Sequence, residues 1–407
     1  MQLIRSYRNQ DVILKTLLIS FLFLMIPFVT SWTGINNIAL VVILYTIAIY
    51  LYYPVAIVDS FTFALVLNLI YIVIKSVFET SSIVNCLDDI RRYLPLIVSY
   101  IIVCHIELSK DKRFVRKLVY FMLILLFIRY VSAIVVDLIF PNTARMIAGL
   151  GIENPSLYYK IGAGSYSLIN SGFLLILPLL YYQKNNNRKG CKVLIGIFLF
   201  VTIISTIVTN WATAVIFSLL ALLIGGLIYS KIKKSFVLSI ALIIVALYFS
   251  LNINLLVNKV DSINFKNPEL YSRLTDIIYT FAGIEVEGDL SVRRELYSIS
   301  MNSINNNIIA GSMNAPVGGH AFFIDYAARY GLIGFMLLII TYISVMKLSI
   351  QVIPKRYRGV QVLNFILYFA FGSLKNIIGY EFLLNLFVLG PLIMYIADPE
   401  NYGSNIK

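Results

Sequence analysis

The stretch 315–334, APVGGHAFFIDYAARYGLIG, carries one of only two histidines in 407 residues. Histidine changes charge closest to neutral pH, so its setting decides what it can do. Gly318 and Gly319 permit a sharp turn with positive φ, and an apolar helix starting near Ala321 places His320 at or just before a helix N-terminus. The positive end of a helix dipole disfavours imidazolium, so a ring held there stays neutral near pH 7 and can accept a proton. That makes His320 a candidate general base; the alternative is an interfacial histidine that satisfies loop carbonyls. Upstream, Arg293 and Arg294 offer forked donors suited to a phosphate or diphosphate; the alternative is that both are solvated or meet lipid headgroups. Asp325 and Arg329, four apart, are expected to pair along one helix face and orient the turn carrying His320. Arg129 falls inside an apolar run, where a charge is costly and therefore a functional candidate, with Asp137, Asp59 or a lipid-linked anion as its partner.

The elements that must position these residues belong to a membrane protein. Hydrophobic residues make up 59% of the chain and charged ones 13%, against about 45–50% and about 25% in soluble domains. Runs of about 20 apolar residues are what a helix needs to cross a bilayer. They fall at 12–31, 35–53, 55–74, 93–108, 118–140, 166–183, 193–209, 212–230, 236–257, 321–346, 359–376 and 380–397. The fold class expected is an all-α polytopic integral membrane protein of about 12 transmembrane helices in one domain, 1–407. The first run is too long for a secretory signal, contains Lys15 and lacks a small-residue cleavage site, so it reads as helix one. Cys86, Cys104 and Cys191 form neither a disulfide framework nor a metal spacing.

The net charge of +13 is distributed in a way that points to lipid and not to nucleic acid. Lys and Arg concentrate in the N-terminal segment and in the alternate short loops 109–117, 184–192, 231–234 and 347–358, which the positive-inside rule makes cytoplasmic, along with both termini. On the opposite side, 32–34 and 209–211 are tight, 75–92 and 141–165 are intermediate, and 258–320 is long. Long connections without structure of their own are uncommon unless functional. Within this external loop, Leu270, Leu274, Ile277, Ile278 and Phe281 fall at helical spacing, as do Val292, Leu296 and Ile299. Two short amphipathic helices on the membrane surface account for both sets, joined by GIEVEGDLS, with Asp289 or Ser291 capping the second. No repeat of 20–50 residues occurs, nor the paired interrupted helices of many transporters. There is no phosphate-binding glycine loop, no dinucleotide signature and no metal-ligand spacing. No cofactor or metal is expected, and energy must come from a gradient or from the substrate.

The run SVRRELYSISMNSINNNIIAGSMNAPVGGHAFFIDYAARYGLIGFMLLI resembles the O-antigen and capsular polysaccharide polymerases, which share a superfamily with the O-antigen ligases. Those proteins carry, in a large external loop, a Ser-x-Arg motif with an aromatic four residues after the Arg, then a glycine turn and a Gly-Gly-His element leading into a membrane helix. Arg293 with Tyr297 is similar to the arginine motif, Gly311 to the turn glycine, and His320 with Phe323, Asp325, Gly331 and Gly334 to the histidine element. The stretch GIENPSLYYKIGAGSYS is similar to the family's smaller external loop, with Arg145 upstream as a second cation. The resemblance implies a metal-independent, GT-C-like glycosyltransferase that joins undecaprenyl-diphosphate-linked oligosaccharides on the outer face of the bacterial cytoplasmic membrane. It implies His320 as general base, with Arg293, helped by Arg294 or Arg145, holding the diphosphate. A chain-length regulator and the repeat-unit flippase are the implied protein partners. Two other readings stay open at this stage: a ligase that transfers the chain to a terminal acceptor such as a lipid A core sugar, and a flippase for lipid-linked units.

Overall fold

The computed structural model of the chain describes residues 2–26, 29, 35–52, 59–79, 87, 89–109, 111–140, 143, 166–185, 189–209, 211–229, 289–377 and 379–397. Arg145, Cys86, the span expected at 236–257 and the amphipathic set at 270–281 lie outside the described residues. Every regular element among them is helical. The backbone has no water to bond inside hydrocarbon, so even β-branched runs such as those of Ile35–Tyr52 coil into helices that satisfy their own polar groups.

In chain order the helices are α1 (Gln2–Leu24), α2 (Ile35–Tyr52), α3 (Ser60–Glu79), α4 (Leu94–Ser109), α5 (Lys112–Ile139), α6 (Tyr166–Ser171), α7 (Phe173–Asn185), α8 (Lys189–Val208), α9 (Ala212–Tyr229), α10 (Asp289–Asn306), α11 (Phe322–Val352), α12 (Arg358–Leu374) and α13 (Tyr380–Ala397). Five of them, α3, α5, α8, α11 and α13, are long and apolar enough to cross a membrane. Most of α13 is buried inside the protein, whereas only 33–39% of the residues in the apolar stretches of the other four are. That contrast marks α13 as the centre of the bundle and the outward faces as lipid-facing.

Packing around α13 relies on small and amide residues, as expected where lipid competes equally for apolar surface. Gly390 lets α13 approach Pro178 of α7, Asn364 donates to the Leu174 carbonyl at 2.7 Å, and Gln361 donates to the Leu386 carbonyl at 2.6 Å. Pro391, which has no N–H to give the preceding turn, follows a π-helical segment at Leu384–Leu389. At the end of the bundle near the basic loops, Lys15 bridges Asp11 and Asp111, each at 2.6 Å, and Asp111 also caps α5. The second histidine, His105, is buried there, its Nδ1 bonded to the Tyr45 hydroxyl at 2.7 Å.

The apolar run 321–346, expected as one continuous span, is broken. A straight helix would hold Phe323 and Tyr342 about 28 Å apart, yet their ring centroids are 6.2 Å apart and Phe323 also lies 6.3 Å from Phe335. α11 folds back at Gly331, which has φ 62° and ψ −171°. Residues 322–330 form a short helix packed against the long stretch 332–352, which at about 1.5 Å per residue still spans about 30 Å. The second amphipathic set is on α10, as its spacing predicts, and Ser291 lies within the helix.

Candidate active site at one end of the bundle

α10 and the start of α11 meet through one hydroxyl and one carboxylate. Ser300 of α10 donates to Asp325 Oδ1 at 2.5 Å and accepts the Gly318 N–H at 2.9 Å, while Asp325 Oδ2 accepts the Ala321 N–H at 3.1 Å. Ser303 adds a bond to the Pro316 carbonyl at 2.7 Å. Gly318 lies so close to α10 that a Cβ there would overlap the Leu296 carbonyl, and Gly319 has φ +74°. These bonds fix the turn of His320 on both sides relative to the helix that carries Arg293. His320 itself is exposed, immediately before Ala321, the residue that caps α11. The helix end expected to act on the imidazole alone is therefore also met by the Asp325 carboxylate from the first turn.

The expected Asp325–Arg329 pair does not form. Asp325 is committed to Ser300 and Ala321, and Arg329 faces Asp89 at 3.9 Å. Asp89 is buried and holds the Tyr330 hydroxyl at 2.5 Å and Arg92 at 3.4 Å. A carboxylate near a helix start gains more from orphan N–H groups than from an exposed i,i+4 partner.

The end of α12 draws the remaining pieces together. The Tyr297 hydroxyl donates to the Leu374 carbonyl at 2.5 Å, and the Phe322 N–H donates to the neighbouring Lys375 carbonyl at 3.3 Å. Arg293 lies one turn before Tyr297 on the same face of α10, and both are within electrostatic range of the Tyr166 hydroxyl. Tyr166 stacks edge-on against Trp211, ring centroids 5.0 Å apart. Tyr166 and Ser167 open α6, directly after the expected external loop 141–165. Arg294 is exposed, and successive helical residues point about 100° apart, so the two arginines do not present a joint fork on one face.

A second junction anchors the turn after α10. Gly311 has φ +65°, and a Cβ on either Gly311 or Gly331 would overlap the other's backbone segment. The segment after α10 fits into the break of α11: Leu332 and Ile333 donate to the carbonyls of Ile308 and Ile309, and Ser312 donates to that of Ala328. Buried Lys75 of α3 donates to the Gly311 carbonyl at 2.9 Å and pairs with Glu79 at 2.6 Å, and Glu79 accepts the Met313 N–H at 2.7 Å. Orphan helix-end groups at the break are thus paired inside the protein.

Arg129 pairs with neither Asp137 nor Asp59. Its Nη2 donates to Glu381 Oε1 at 3.1 Å, and Glu381 Oε2 accepts the Ser167 hydroxyl at 2.7 Å. Asp59 instead accepts the Thr62 N–H at the start of α3 and the Tyr100 hydroxyl. Ser167 follows Tyr166, so the Arg129 pair is bonded next to the residue whose hydroxyl lies within electrostatic range of Arg293. Ser300, Glu381, Lys75 and Asp89 are the residues that sequence reasoning missed. A carboxylate at the head of the apolar run 380–397 was the one available signal for Glu381.

Among the described residues, no group of three or more His, Cys, Asp or Glu side chains could hold a metal ion. No family model matches the chain, and no curated protein matches it.

Proposed function

We propose that the chain is a membrane glycosyltransferase that polymerises undecaprenyl-diphosphate-linked oligosaccharide units into a surface polysaccharide, an O-antigen or capsule. The observation that carries this reading is the Ser300–Asp325 junction, which locks a histidine turn to an arginine-bearing helix at the end of the bundle away from the basic loops. The charge asymmetry of the loops supports about twelve crossings, both termini in the cytoplasm, and this end facing outward from a bacterial cytoplasmic membrane.

In the reaction, an acceptor hydroxyl attacks the anomeric carbon of the donor chain. The new C–O bond forms as the bond to the diphosphate breaks, the hydroxyl proton passes to His320, and the lipid diphosphate leaves with the electron pair. Arg293 stabilises the charge that develops on it. The donor is already activated, so no nucleotide is consumed in this step.

The test is polysaccharide length, resolved on a gel, in cells lacking their own copy and complemented with wild type, His320→Ala, Arg293→Ala or Arg293→Lys at matched membrane abundance. General-base help contributes about 10²–10⁴-fold, so His320→Ala should leave single repeat units attached to the cell surface. Arg293→Lys should fail along with Arg293→Ala, because an ammonium cannot give two parallel bonds. Single units trapped on lipid at the inner face would replace this reading with the flippase. Lipid-linked polymer of normal length, retained without transfer to its terminal acceptor, would replace it with the ligase.

A further inference from the structure

Between the end of α1, the middle of α5 and the start of α13 lies a partly open cavity whose walls include Leu22, Met25, Leu126 and Leu384, and whose polar residues are the Arg129–Glu381 pair and Asn385, the last bonded to Ser171. Nearly all of its lining is apolar. Met122, also on the wall, lies two turns before Arg129 on α5, so the slot reaches about 10 Å from the ion pair toward the basic-loop end of the bundle. The ion pair is nearly buried, and its hydrogen bonding is lopsided. Both Glu381 oxygens are engaged, by Arg129 and by Ser167, while Arg129 Nε is buried without an acceptor. A buried guanidinium edge left without an acceptor costs free energy until an oxygen meets it.

We propose that this slot holds the first isoprene units of the lipid carrier, with an oxygen of its proximal phosphate accepting from the Arg129 guanidinium. The polyprenyl identity of the lipid rests on the polymerase reading above; the location rests on the cavity. Three features select such an occupant. The walls are mostly apolar, and two of the three helices that form them, α5 and α13, are long and apolar enough to cross the membrane, which suits an occupant drawn from the bilayer. Among the described residues, the guanidinium of Arg129 is the only cationic group in the lining, which suits an apolar chain with one oxygen-rich head. That end connects through Ser167 to Tyr166, whose hydroxyl lies within electrostatic range of Arg293, so a head leaving the slot there moves toward the candidate active site. Glu381, held by its two partners, keeps the slot close to neutral. The bulk of the head charge is therefore met by Arg293 and not inside the slot.

Binding is measured on the purified full-length protein in detergent, by thermal shift with undecaprenyl diphosphate or phosphatidylglycerol, and by photocrosslinking with a diazirine-bearing polyprenyl diphosphate. Undecaprenyl diphosphate should raise the melting temperature saturably and phosphatidylglycerol should not. Leu126→Trp, which fills the slot, should weaken that binding on the order of 10- to 100-fold, the cost of displacing a few buried carbons. The crosslinker should label α1, α5 and α13 in the wild-type protein, a readout that does not depend on the variant folding. Labels confined to other helices would overturn the proposal, as would unchanged affinity in a folded Leu126→Trp protein or an equal shift from phosphatidylglycerol. Tight binding with labels elsewhere would leave the polymerase reading standing and remove only the slot. No saturable binding of the polyprenyl lipid to wild type would remove both.

Discussion

Asp325→Asn tests whether the Ser300–Asp325 junction positions the histidine turn. The carboxylate accepts from Ser300 at 2.5 Å and from the Ala321 N–H at 3.1 Å, and Ser300 in turn accepts from Gly318 at 2.9 Å. Asparagine has nearly the same shape and can keep both contacts, its oxygen toward Ala321 and its amide toward the Ser300 oxygen. What it loses is the charge. Bonds to charged groups contribute about 1.5–3 kcal/mol and neutral ones about 0.5–1.5, so two bonds weaken by about 2 kcal/mol in total. At about 1.4 kcal/mol per tenfold, the aligned turn loses up to about 30-fold in population. Asp325→Ala forfeits both bonds and should cost more. Ser300→Ala removes the hydroxyl that links Asp325 to Gly318, and its effect with Asp325→Asn should be less than additive, because both act on one network. The assay is polymer formation in isolated membranes from a fixed amount of lipid-linked repeat unit, normalised to the folded, monodisperse protein recovered in detergent. The expected order of rates is wild type, then Asp325→Asn, then Asp325→Ala. Well-folded Asp325→Ala and Ser300→Ala proteins working at the wild-type rate would refute the reasoning, and so would strictly additive effects of the Ser300 and Asp325 changes.

Other perturbations have equally direct outcomes. Gly331→Ala places a Cβ against the Ile309 carbonyl at a positive φ, so folded protein should be lost from the membrane fraction, as judged by size-exclusion profiles of the extracted chain. Glu381→Ala strips the partner from nearly buried Arg129 and should cost about 3–5 kcal/mol of stability, read as a lower melting temperature in detergent. Arg294→Ala, at an exposed position, should impair polymer length less than Arg293→Ala on the same gel. Burial works to raise the Asp111 carboxyl, but its hydrogen bond to Lys15 and those from the α5 backbone prevail and hold it below the usual carboxylate range. Its stabilisation is therefore present above the ordinary carboxylate value and is lost as pH falls through the lowered one. Asp111→Asn should flatten that part of the melting profile against pH.

The residues legible in the sequence were those whose role is set by near neighbours. The 3.6-residue spacing of Val292, Leu296 and Ile299 gave α10, and the Gly-Gly-His order gave a turn ahead of a helix, because both are local backbone matters. Asp325 is expected to pair with Arg329 and instead bonds Ser300 and the Ala321 N–H. The i,i+4 rule sees Arg329, whereas the N–H groups at the helix start and a serine 25 residues away offered better bonds. Arg129 failed in the same way on a larger scale, since Glu381 lies 252 residues further along the chain and only the packing of α5 against α13 makes them neighbours. The break in α11 was invisible to hydropathy because Gly331 interrupts nothing in an apolar run; what requires it is the backbone of the 308–311 segment occupying the space of a side chain. Each miss is therefore a long-range contact displacing a plausible short-range one. These contacts cluster where the turn of His320, the helix of Arg293 and the end of α12 converge, and this convergence is what makes that end of the bundle, and not the long loop as such, the place to look for chemistry.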